Sequence, residues 1–434
     1  MQNDSGIVRS VAASQRLDSR GKPTVKVTIT TEKGNFTALV PSGASVGAYE
    51  AHELRDEDAR QYGGNSVLKA VHNVENIIGP ELVKQRFNTR DLREIDKFMI
   101  HLDGSHDKKR LGANAILGVS MACARAGAAE TGVPLYEFLR QTAEITGPYI
   151  LPTPFFNVLN GGRHFGNEIV FQEFMIAPTA AQSITEAIQW GSEVYQSLKG
   201  VITEKFGSSA IGIGDEGGFV PPITQPTEAL DLLMTAIKKA GHEGKIKFAI
   251  DPAASEFFKS GKYDLGMKAH KPNALSADEL QELYKSLLDQ YPIILLEDPF
   301  AEDDWEAWKS FHQNYSVELV GDDLLATNIE RIDLAHAQKA CNSLLLKINQ
   351  VGTITEALDA ARKAQSYGWS VFVSHRSGET TDDFIADLTV AISVGHLKSG
   401  SPCRGERVAK YNRLMDIEEE LKGSRCEFQY AGLP

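Results

Sequence analysis

Several short apolar runs in the chain end in charged residues. The clearest run, residues 293–296, has four large apolar side chains and leads into Glu297 and Asp298, followed by Pro299. An unbroken apolar run of this length is typical of a strand buried on both faces in a parallel sheet. Two carboxylates directly after it cannot be buried cheaply without partners, and proline ends a strand. The pattern therefore predicts a core strand that carries Glu297 to a polar site at its carboxyl end.

The same pattern of apolar run and terminal charge recurs at five other places. The runs are residues 247–250 before Asp251, 317–321 before Asp322 and Asp323, 344–346 before Lys347, 371–374 before His375 and Arg376, and 390–394 before Lys398. Capping boxes, Ser276 with Glu279 and Thr353 with Glu356, predict helices between the runs. Repeated strand–helix units predict an α/β fold with a (β/α)8-type barrel, whose active site lies at the carboxyl ends of the strands.

The charged residues at the ends of these runs have two interpretations. Each one alone is explained as a helix N-cap or a surface charge, whereas the whole series is better explained by a common site. The three carboxylates Asp251, Glu297 and Asp322 suit a hard divalent cation with oxygen ligands, and Mg²⁺ is the expected ion. A lysine held near such a cation, such as Lys347, has its charged form disfavoured, and a neutral lysine can act as a base.

The first third of the chain has a different pattern. Alternating apolar and polar residues predict a β-meander over about residues 7–40, and residues 51–145 are predicted to be mainly helical. Residues 41–50 are small and glycine-rich, which suits either a connector or a mobile lid. A proline-rich stretch, residues 147–154, is the predicted boundary between an N-terminal α+β domain (residues 1–147) and the C-terminal barrel (residues 148–434).

Two further carboxylates lie early in the predicted barrel. A strand beginning at Phe155 is expected to turn at Gly161 and Gly162, and a second strand, residues 170–176, carries Glu173. A glycine-rich loop, residues 212–218, then carries Glu216, and its glycines allow a sharp turn beside the barrel mouth.

Composition restricts the class of protein. The 434 residues are 42% hydrophobic and 24% charged, which is ordinary for a globular protein. The net charge of −13 disfavours nucleic acid or an anionic membrane surface as the main partner. The four cysteines are scattered without a C-x-x-C pair, so we expect reduced thiols and a cytoplasmic protein rather than a zinc site or a disulfide scaffold. No signal-peptide pattern or apolar run of membrane-spanning length is present in the sequence.

Six longer motifs connect the chain with a known family. They are Ser42-Gly43-Ala44-Ser45 and residues 111–120, 214–218, 297–305, 345–350 and 374–380. With these motifs the chain resembles the enolase family, and its eukaryotic and fungal members in particular, along essentially its whole length. The resemblance implies a homodimeric glycolytic lyase that interconverts 2-phospho-D-glycerate and phosphoenolpyruvate with two Mg²⁺ ions per active site.

The resemblance also implies a role for each matching residue. Asp251, Glu297 and Asp322 match the ligands of the first Mg²⁺, and Ser45 matches a lid serine that helps to hold the second Mg²⁺ with the phosphate. Lys347 matches the general base, Glu216 the general acid supported by Glu173, and Lys398 a group that stabilises the enolate. The remaining residues that match substrate contacts are His164, His375, Arg376 and Ser377.

The chain departs from the family pattern around the substrate. Arg163 and Phe165 flank His164 in place of serine and alanine, and Val46, Tyr49 and Gly405 also differ from the usual residues. Either Arg163 and Phe165 lie on the exterior of their loop, or they contact an anionic group or alter loop closure. Two alternatives to a working enolase therefore stay open: a related enzyme that removes the α-proton of a different small carboxylate, and a non-catalytic protein on the same scaffold.

Overall fold

The N-terminal part of the chain begins with an antiparallel sheet. The computed structural model describes residues 5–44, 47–163, 166–268 and 273–432. The sheet has the order β1 (Ser10–Leu17), β2 (Pro23–Thr31) and β3 (Gly34–Leu39). In β2, Val25, Val27 and Ile29 are fully buried at alternate positions. The predicted meander is therefore confirmed, and its alternation gives one face to the core.

Helices follow this sheet, as the sequence predicts. They are α1 (Leu68–Asn73), a π-helical turn (Val74–Ile78), α2 (Gly79–Lys84), α3 (Leu92–Asp103), α4 (Ala113–Thr131) and α5 (Leu135–Thr142). Helix α4 packs directly on β2 and β3. A Cβ atom at Gly118 would lie 2.6 Å from Val27 Cγ2. The small residues of α4 thus allow the helix to approach the sheet closely.

Eight strands of the described chain form a closed barrel. They are β5 (Thr153–Asn160), β6 (Glu173–Ala177), β7 (Lys247–Asp251), β11 (Ile293–Glu297), β12 (Glu318–Gly321), β13 (Ser343–Leu346), β14 (Ser370–Ser374) and β15 (His396–Lys398). Two small sheets lie outside it: β4 (Tyr149–Leu151) with β16 (Phe428–Tyr430), and β8 (Phe258–Lys259), β9 (Lys262–Asp264) and β10 (Ala274–Leu275). The predicted α/β barrel fold is therefore confirmed.

One barrel strand runs against the others. Strand β6 is antiparallel to both of its neighbours, β5 and β7, whereas the other barrel pairs are parallel. Because β6 runs backwards, its first residue, Glu173, lies at the same end of the barrel as the last residues of the other strands. In the register, Glu173 lies opposite Asp251.

The barrel has an apolar interior and a helical outer layer. Its interior contains Phe155, Met175, Ala177, Ala249, Leu295, Val320, Leu345 and Phe372, all fully buried. The surrounding helices are α6 (Ile184–Phe206), α7 (Pro226–Lys239), α8 (Ala277–Gln290), α9 (Trp305–Asn314), α10 (Ile329–Gln338), α11 (Ile348–Val351), α12 (Ile354–Ser366), α13 (Phe384–Ala391) and α14 (Gly405–Gly423). Helix α8 begins with the predicted capping box of Ser276 and Glu279. At α12 the Thr353 side chain accepts the Glu356 amide, as an N-cap does.

The prediction of a strand at residues 390–394 is wrong. That stretch contains the end of helix α13, and the strand is the short β15, residues 396–398. All eight residues of α13 are buried, so the sequence lacks the periodicity of a helix with one exposed face. The strand with Glu173 also begins at that residue rather than at Val170.

Among the described residues, no helix combines the length and the apolar character that crossing a bilayer requires.

Candidate active site

The carboxyl ends of the barrel strands meet at one polar cavity. The predicted residues that line it are Glu173, Glu216, Asp251, Asp322, Lys347, His375, Arg376, Ser377 and Lys398. Glu297 is fully buried beside them. The structure therefore brings together every predicted site residue that it describes. Ser45 and His164, with Val46 and Phe165, lie outside the described residues.

Lys398 is the cation at the centre of three carboxylates. Its Nζ lies 2.6 and 2.7 Å from the two oxygens of Glu297, 3.4 Å from Glu173 Oε2 and 3.8 Å from Asp251 Oδ2. Burial alone would lower the pKa of Lys398, but Glu173, Glu297 and Asp251 outweigh burial and raise it well above the ordinary value. Lys398 therefore stays charged and can bind an anionic group in this part of the cavity.

Lys347 is paired with a different carboxylate, Asp322. The Lys347 ammonium contacts Asp322 Oδ2, and both side chains are largely buried. Burial disfavours the charged lysine, but the neighbouring Asp322 raises the pKa of Lys347 above its ordinary value. In this arrangement Lys347 is an ammonium group and would act as a base only after its contact with Asp322 is weakened.

Two buried glutamates, Glu173 and Glu216, are neighbours whose pKa values move in opposite directions. Burial and the charge of Glu216 raise the pKa of Glu173 to about 8. Burial alone would raise the pKa of Glu216, but the neighbouring His375 and the charges of Arg407 and Lys398 lower it below the ordinary value. Like charges this close cannot both ionise easily, so the proton is on Glu173 at neutral pH. The pair can thus supply a proton to the cavity.

The ionised Glu216 is held by neutral donors. Its Oε2 accepts Asn157 Nδ2 at 2.9 Å, and its Oε1 accepts the Ser377 hydroxyl at 3.0 Å. Ser377, which the resemblance assigns to the phosphate, is therefore engaged with the acid in this structure. Gly400 has φ +78°, and a Cβ atom there would lie 2.6 Å from the carbonyl oxygen of Glu216. This glycine allows the Glu216 loop to lie close to the end of β15.

A fully buried arginine, Arg407, organises the histidine segment. It donates to His375 Nδ1 at 2.5 Å and to the carbonyl oxygens of Arg376 and Ser377 at 2.6 and 2.7 Å. Because a guanidinium only donates, His375 Nδ1 is an acceptor and Nε2 carries the hydrogen. Nε2 lies 3.6 Å from Glu216 Oε2. Burial lowers the pKa of His375 well below its ordinary value, so this histidine is neutral.

The predicted phosphate contact, Arg376, faces a carboxylate from the N-terminal domain. Its Nη1 and Nη2 lie 3.1 and 3.3 Å from the two oxygens of Glu50, and Nη1 also donates to Asn349 Oδ1 at 3.2 Å. Both charged side chains are 5% exposed. Glu50 is the last residue of the glycine-rich stretch 41–50, so this contact joins the possible lid to the barrel.

A turn after β11 positions two acids beyond it. Asp298 has φ +39°, and its Oδ1 and Oδ2 accept the backbone amides of Asp322 and Asp323 at 2.9 and 2.8 Å. Asp298, Asp322 and Asp323 each have a carboxylate oxygen within 4.8 Å of the other two, close enough for the three to share a metal ion. Both Asp298 oxygens already accept amide hydrogens, so its clearest role is to place the turn that carries Asp322.

The charge of the cavity fits a divalent cation. Eight carboxyl groups line it among the described residues, against three lysine or arginine side chains. Burial and the charge of Glu297 raise the pKa of Asp251 well above its ordinary value, and burial and Asp322 raise that of Asp323 to about 7. Oxygen donors carrying an excess of negative charge are the ligand set that Mg²⁺ prefers. Asp251, Glu297 and Asp322 therefore fit the ion that the sequence predicts.

Three described residues depart from the family pattern, and none of them lines the cavity: Arg163, Tyr49 and Gly405. The Arg163 side chain is 67% exposed, and its Nη1 lies 3.4 Å from Glu256 Oε2. The Tyr49 hydroxyl donates to Asp303 at 3.2 Å, and the Arg331 guanidinium lies 3.7 Å from the centre of its ring. A Cβ atom at Gly405 would have no neighbouring atom within 4 Å among the described residues, so a larger side chain would fit there.

Sequence reasoning assigned no role to several residues that support the site. These are Glu50, Asn157, Asp298, Gln350 and Arg407. Glu50 and Arg376 are far apart in the sequence, so no local pattern could have paired them. Residue type gave no signal either, because all of these polar types are usually exposed and only the fold shows that they are buried here.

Two comparisons with family models cover most of the chain. The model of "Enolase, N-terminal domain" matches residues 8–139, and the model of "Enolase, C-terminal TIM barrel domain" matches residues 148–433. The first match covers the N-terminal sheet and its helices, and the second covers the barrel with its charged cavity. The chain belongs to the enolase family.

Proposed function

We propose that this protein is an enolase that catalyses the reversible dehydration of 2-phospho-D-glycerate to phosphoenolpyruvate. The observation that carries the proposal is the placement of Lys347 and the glutamate pair Glu173 and Glu216 on one cavity of an enolase-family chain. A dehydration needs one group to remove the α-proton and another to protonate the departing hydroxyl. This cavity contains both kinds of group.

Lys347 is the proposed base. Its ammonium must lose a proton first, and the Asp322 charge is what raises its pKa. When the Asp322 carboxylate is engaged as a metal ligand, the effect of burial on Lys347 remains and favours the neutral amine. The same residue, Asp322, would thus bind the cation and set the protonation state of the base.

Glu216 is the proposed acid, with Glu173 as its proton store. The structure has Glu173 as the more basic of the two, with a pKa of about 8. Proton transfer from Glu173 to Glu216 would then precede or accompany the loss of the substrate hydroxyl as water. The neutral His375 lines the same cavity, and its Nε2 lies 3.6 Å from Glu216 Oε2, so we assign it to the substrate contacts.

Binding of the substrate's two anionic ends is assigned to separate cations. Lys398 would bind near the carboxylate and stabilise the enolate, while Arg376 and Ser377 would contact the phosphate. Glu50 holds the Arg376 guanidinium and Glu216 holds the Ser377 hydroxyl, so the phosphate would replace or share these contacts. Ser45 and His164 complete the proposed contacts by family resemblance.

Two Mg²⁺ ions are proposed as cofactors. Asp251, Glu297 and Asp322 would hold the first and Ser45 would help to hold the second, and when bound they neutralise the charge that develops on the substrate carboxylate. Chelation should therefore remove activity and added Mg²⁺ should restore it. Asp251→Ala and Asp322→Ala should each weaken this restoration sharply, because each removes an anionic ligand. Activity that persists unchanged in excess chelator would refute the metal site.

The direct test of the proposed function is turnover. The purified protein is supplied with 2-phosphoglycerate and Mg²⁺, and phosphoenolpyruvate is followed by its ultraviolet absorbance. A rate in the usual enzyme range, roughly 1–10³ per second, is expected. If folded, Mg²⁺-loaded protein forms no product, the enolase proposal is rejected and a different small carboxylate substrate remains as the alternative.

A homodimer in the cytoplasm is proposed by family resemblance, and sedimentation as a stable monomer at micromolar concentration would contradict the dimer.

A further inference from the structure

A buried glutamine directly behind the site connects its two halves. Gln350 lies in the short helix α11 that follows Lys347, and it is 2% exposed. Its amide nitrogen Nε2 donates to Asp322 Oδ1 at 2.8 Å and to Glu50 Oε1 at 3.3 Å. Asp322 belongs to the barrel and Glu50 to the N-terminal domain. One side chain therefore contacts a carboxylate from each part of the molecule.

A threonine fixes the orientation of this amide. The Thr327 hydroxyl accepts the backbone amide of Lys347 at 3.0 Å, so its own hydrogen is available for one acceptor. Gln350 Oε1 lies 2.7 Å away, closer than the carbonyl oxygens of Leu345 and Lys347 at 3.5 and 3.4 Å. Because Thr327 donates to Oε1, the nitrogen of the Gln350 amide must face the two carboxylates.

Each of the two carboxylates has a second oxygen that serves the proposed reaction. The other oxygen of Asp322 contacts the Lys347 ammonium. The other oxygen of Glu50 pairs with Nη1 of Arg376. Gln350 thus binds one oxygen of each acid, Asp322 Oδ1 and Glu50 Oε1. Asp322 Oδ2 then contacts the proposed base, and Glu50 Oε2 contacts the arginine proposed to bind phosphate.

Gln350 also stands beside a second cavity. A cavity of about 300 Å³ lies behind the site, lined in part by Gln350, Thr327, Glu50 and Lys108. Asp322, which Gln350 holds, lines the active-site cavity instead. Gln350 therefore lies between the second cavity and Asp322. We expect a shorter side chain at this position to let water from the second cavity reach Asp322.

We propose that Gln350 is a positioning residue that couples the 47–50 segment to the metal ligand Asp322 and to the base Lys347. The role follows from four hydrogen bonds whose directions are set, and it rests on the proposed function only in naming Asp322 as a metal ligand and Lys347 as the base. Replacement of a group that holds a metal ligand typically lowers metal affinity or activity 10- to 100-fold. Loss of Gln350 should also remove one of the donors that hold Glu50 Oε1, while the pair with Arg376 remains, and loosen the segment before it.

The test compares variants of similar size in the full-length protein. Gln350→Leu removes both donors and the acceptor, and Thr327→Val removes the hydroxyl that orients the amide. Thr327→Ser retains that hydroxyl and serves as the matched control. Gln365→Leu is a second control, because Gln365 is half-buried and its side-chain amide donates to the carbonyl oxygen of Ile392 rather than to a residue of the site.

The first measurement is Mg²⁺ binding to the substrate-free protein by calorimetry. We expect the dissociation constant of Gln350→Leu to rise about 10- to 100-fold, that of Thr327→Val to rise less, and both controls to match the wild type. If Gln350→Leu is folded and binds Mg²⁺ as the wild type does, the metal-positioning part of the proposal is overturned. A wild-type protein that binds no Mg²⁺ would instead overturn the proposed function.

The second measurement needs neither metal nor turnover. Amide hydrogen exchange at Gly47, whose nitrogen donates to Glu50 Oε1 at 3.2 Å, should become severalfold faster in Gln350→Leu. Ala51 provides an internal reference, because its amide donates to the backbone carbonyl of Gln350 at 2.7 Å and keeps that bond in the variant. Equal acceleration at Gly47 and Ala51, or at neither, would show a merely structural role and refute the coupling.

Discussion

Particular neighbours, and not burial alone, set the protonation states of four residues of the cavity: Lys347, Lys398, Glu173 and Glu216. Lys347 and Lys398 are both buried lysines, yet both have raised pKa values because carboxylates face them. Glu173 and Glu216 are both buried glutamates, yet their pKa values move in opposite directions because only Glu216 is close to His375 and Arg407. Residue type predicts the chemistry available, and the partners determine which form is present.

Replacement of the base should abolish turnover without unfolding the protein. Lys347→Ala removes the amine and leaves Asp322 without its ion pair, so a loss of roughly 10² to 10⁴ in turnover is expected. Substrate binding, measured by calorimetry, should be largely retained because Arg376 and Lys398 remain. Near-normal turnover in a folded variant would reject Lys347 as the base.

Replacement of the acid should separate the two halves of the reaction. Glu216→Gln keeps the shape of the side chain and one of the two oxygens that accept from Asn157 and Ser377, but it cannot act as a general acid toward the hydroxyl. We expect the variant to exchange the α-proton of 2-phosphoglycerate with solvent, observed by nuclear magnetic resonance, and to form little phosphoenolpyruvate. Elimination that continues while exchange is lost would reverse the assignment of acid and base.

Among the elements, strands with an apolar run and a terminal charge were predictable, and others were not. Strands β7, β11, β12, β13 and β14 carry their charges at the predicted ends. Strand β15 has three residues and follows a helix buried on all sides, so its sequence resembles one continuous strand. Glu173 precedes its apolar run because β6 is reversed, and a rule about strand ends would miss it.

Contacts between distant elements account for the rest of what the sequence could not predict. The pairs Glu50–Arg376 and Arg407–His375 join residues with no regular spacing, and each depends on how whole elements pack. Gln350 belongs to a recognisable motif, but the motif alone does not show that its amide reaches Asp322 and Glu50. Such contacts follow from tertiary structure rather than from local pattern.

The loop that joins β5 to β6 gives a prediction at the scale of an element. Arg163 is mostly exposed and its ion pair with Glu256 spans 3.4 Å, so it is worth little free energy. The double variant Arg163→Ser, Phe165→Ala should therefore change KM for 2-phosphoglycerate at most modestly and leave kcat nearly unchanged. The measurement is steady-state kinetics of both proteins, with Arg163→Ser alone as the control. Enolase activity that arises only in the double variant would identify this loop as the element that selects a different substrate.

At the scale of the whole molecule, the N-terminal domain is attached to the barrel by polar contacts. Lys108 pairs with Glu356 at 2.9 Å, and Arg125 pairs with Asp382 and Asp383 at 2.7 and 2.9 Å. Asp96 of α3 accepts the Thr355 amide at 3.0 Å through Oδ2, while its buried Oδ1 has no hydrogen-bond partner among the described residues. Burial raises the pKa of Asp96 to about 7.

The buried Asp96 makes stability depend on pH. Because its pKa is higher in the folded than in the unfolded state, Asp96 binds its proton more tightly when folded. Its contribution to stability is therefore present at low pH and is lost as pH rises through about 7. Asp96→Asn should therefore stabilise the protein more at pH 8 than at pH 6, and its melting temperature should exceed that of the wild type by more at pH 8. The difference between the two pH values should be on the order of 1–3 kcal/mol in the free energy of unfolding. The exposed Asp91→Asn is the control, and an equal effect of Asp96→Asn at both pH values would contradict this account.

The closure of the barrel has a consequence for how the chain folds. Strand β15 pairs with β5 in parallel, and the paired residues His396 and Thr153 are 243 residues apart in sequence. Contacts across so long a segment carry a large loop-closure entropy, and they slow folding compared with local ones. Lys398 comes from β15, so Glu173, Asp251 and Glu297 are without their shared cation until the ring closes. Closure of the ring through β15 is therefore the step that gives these three acidic side chains their shared cation.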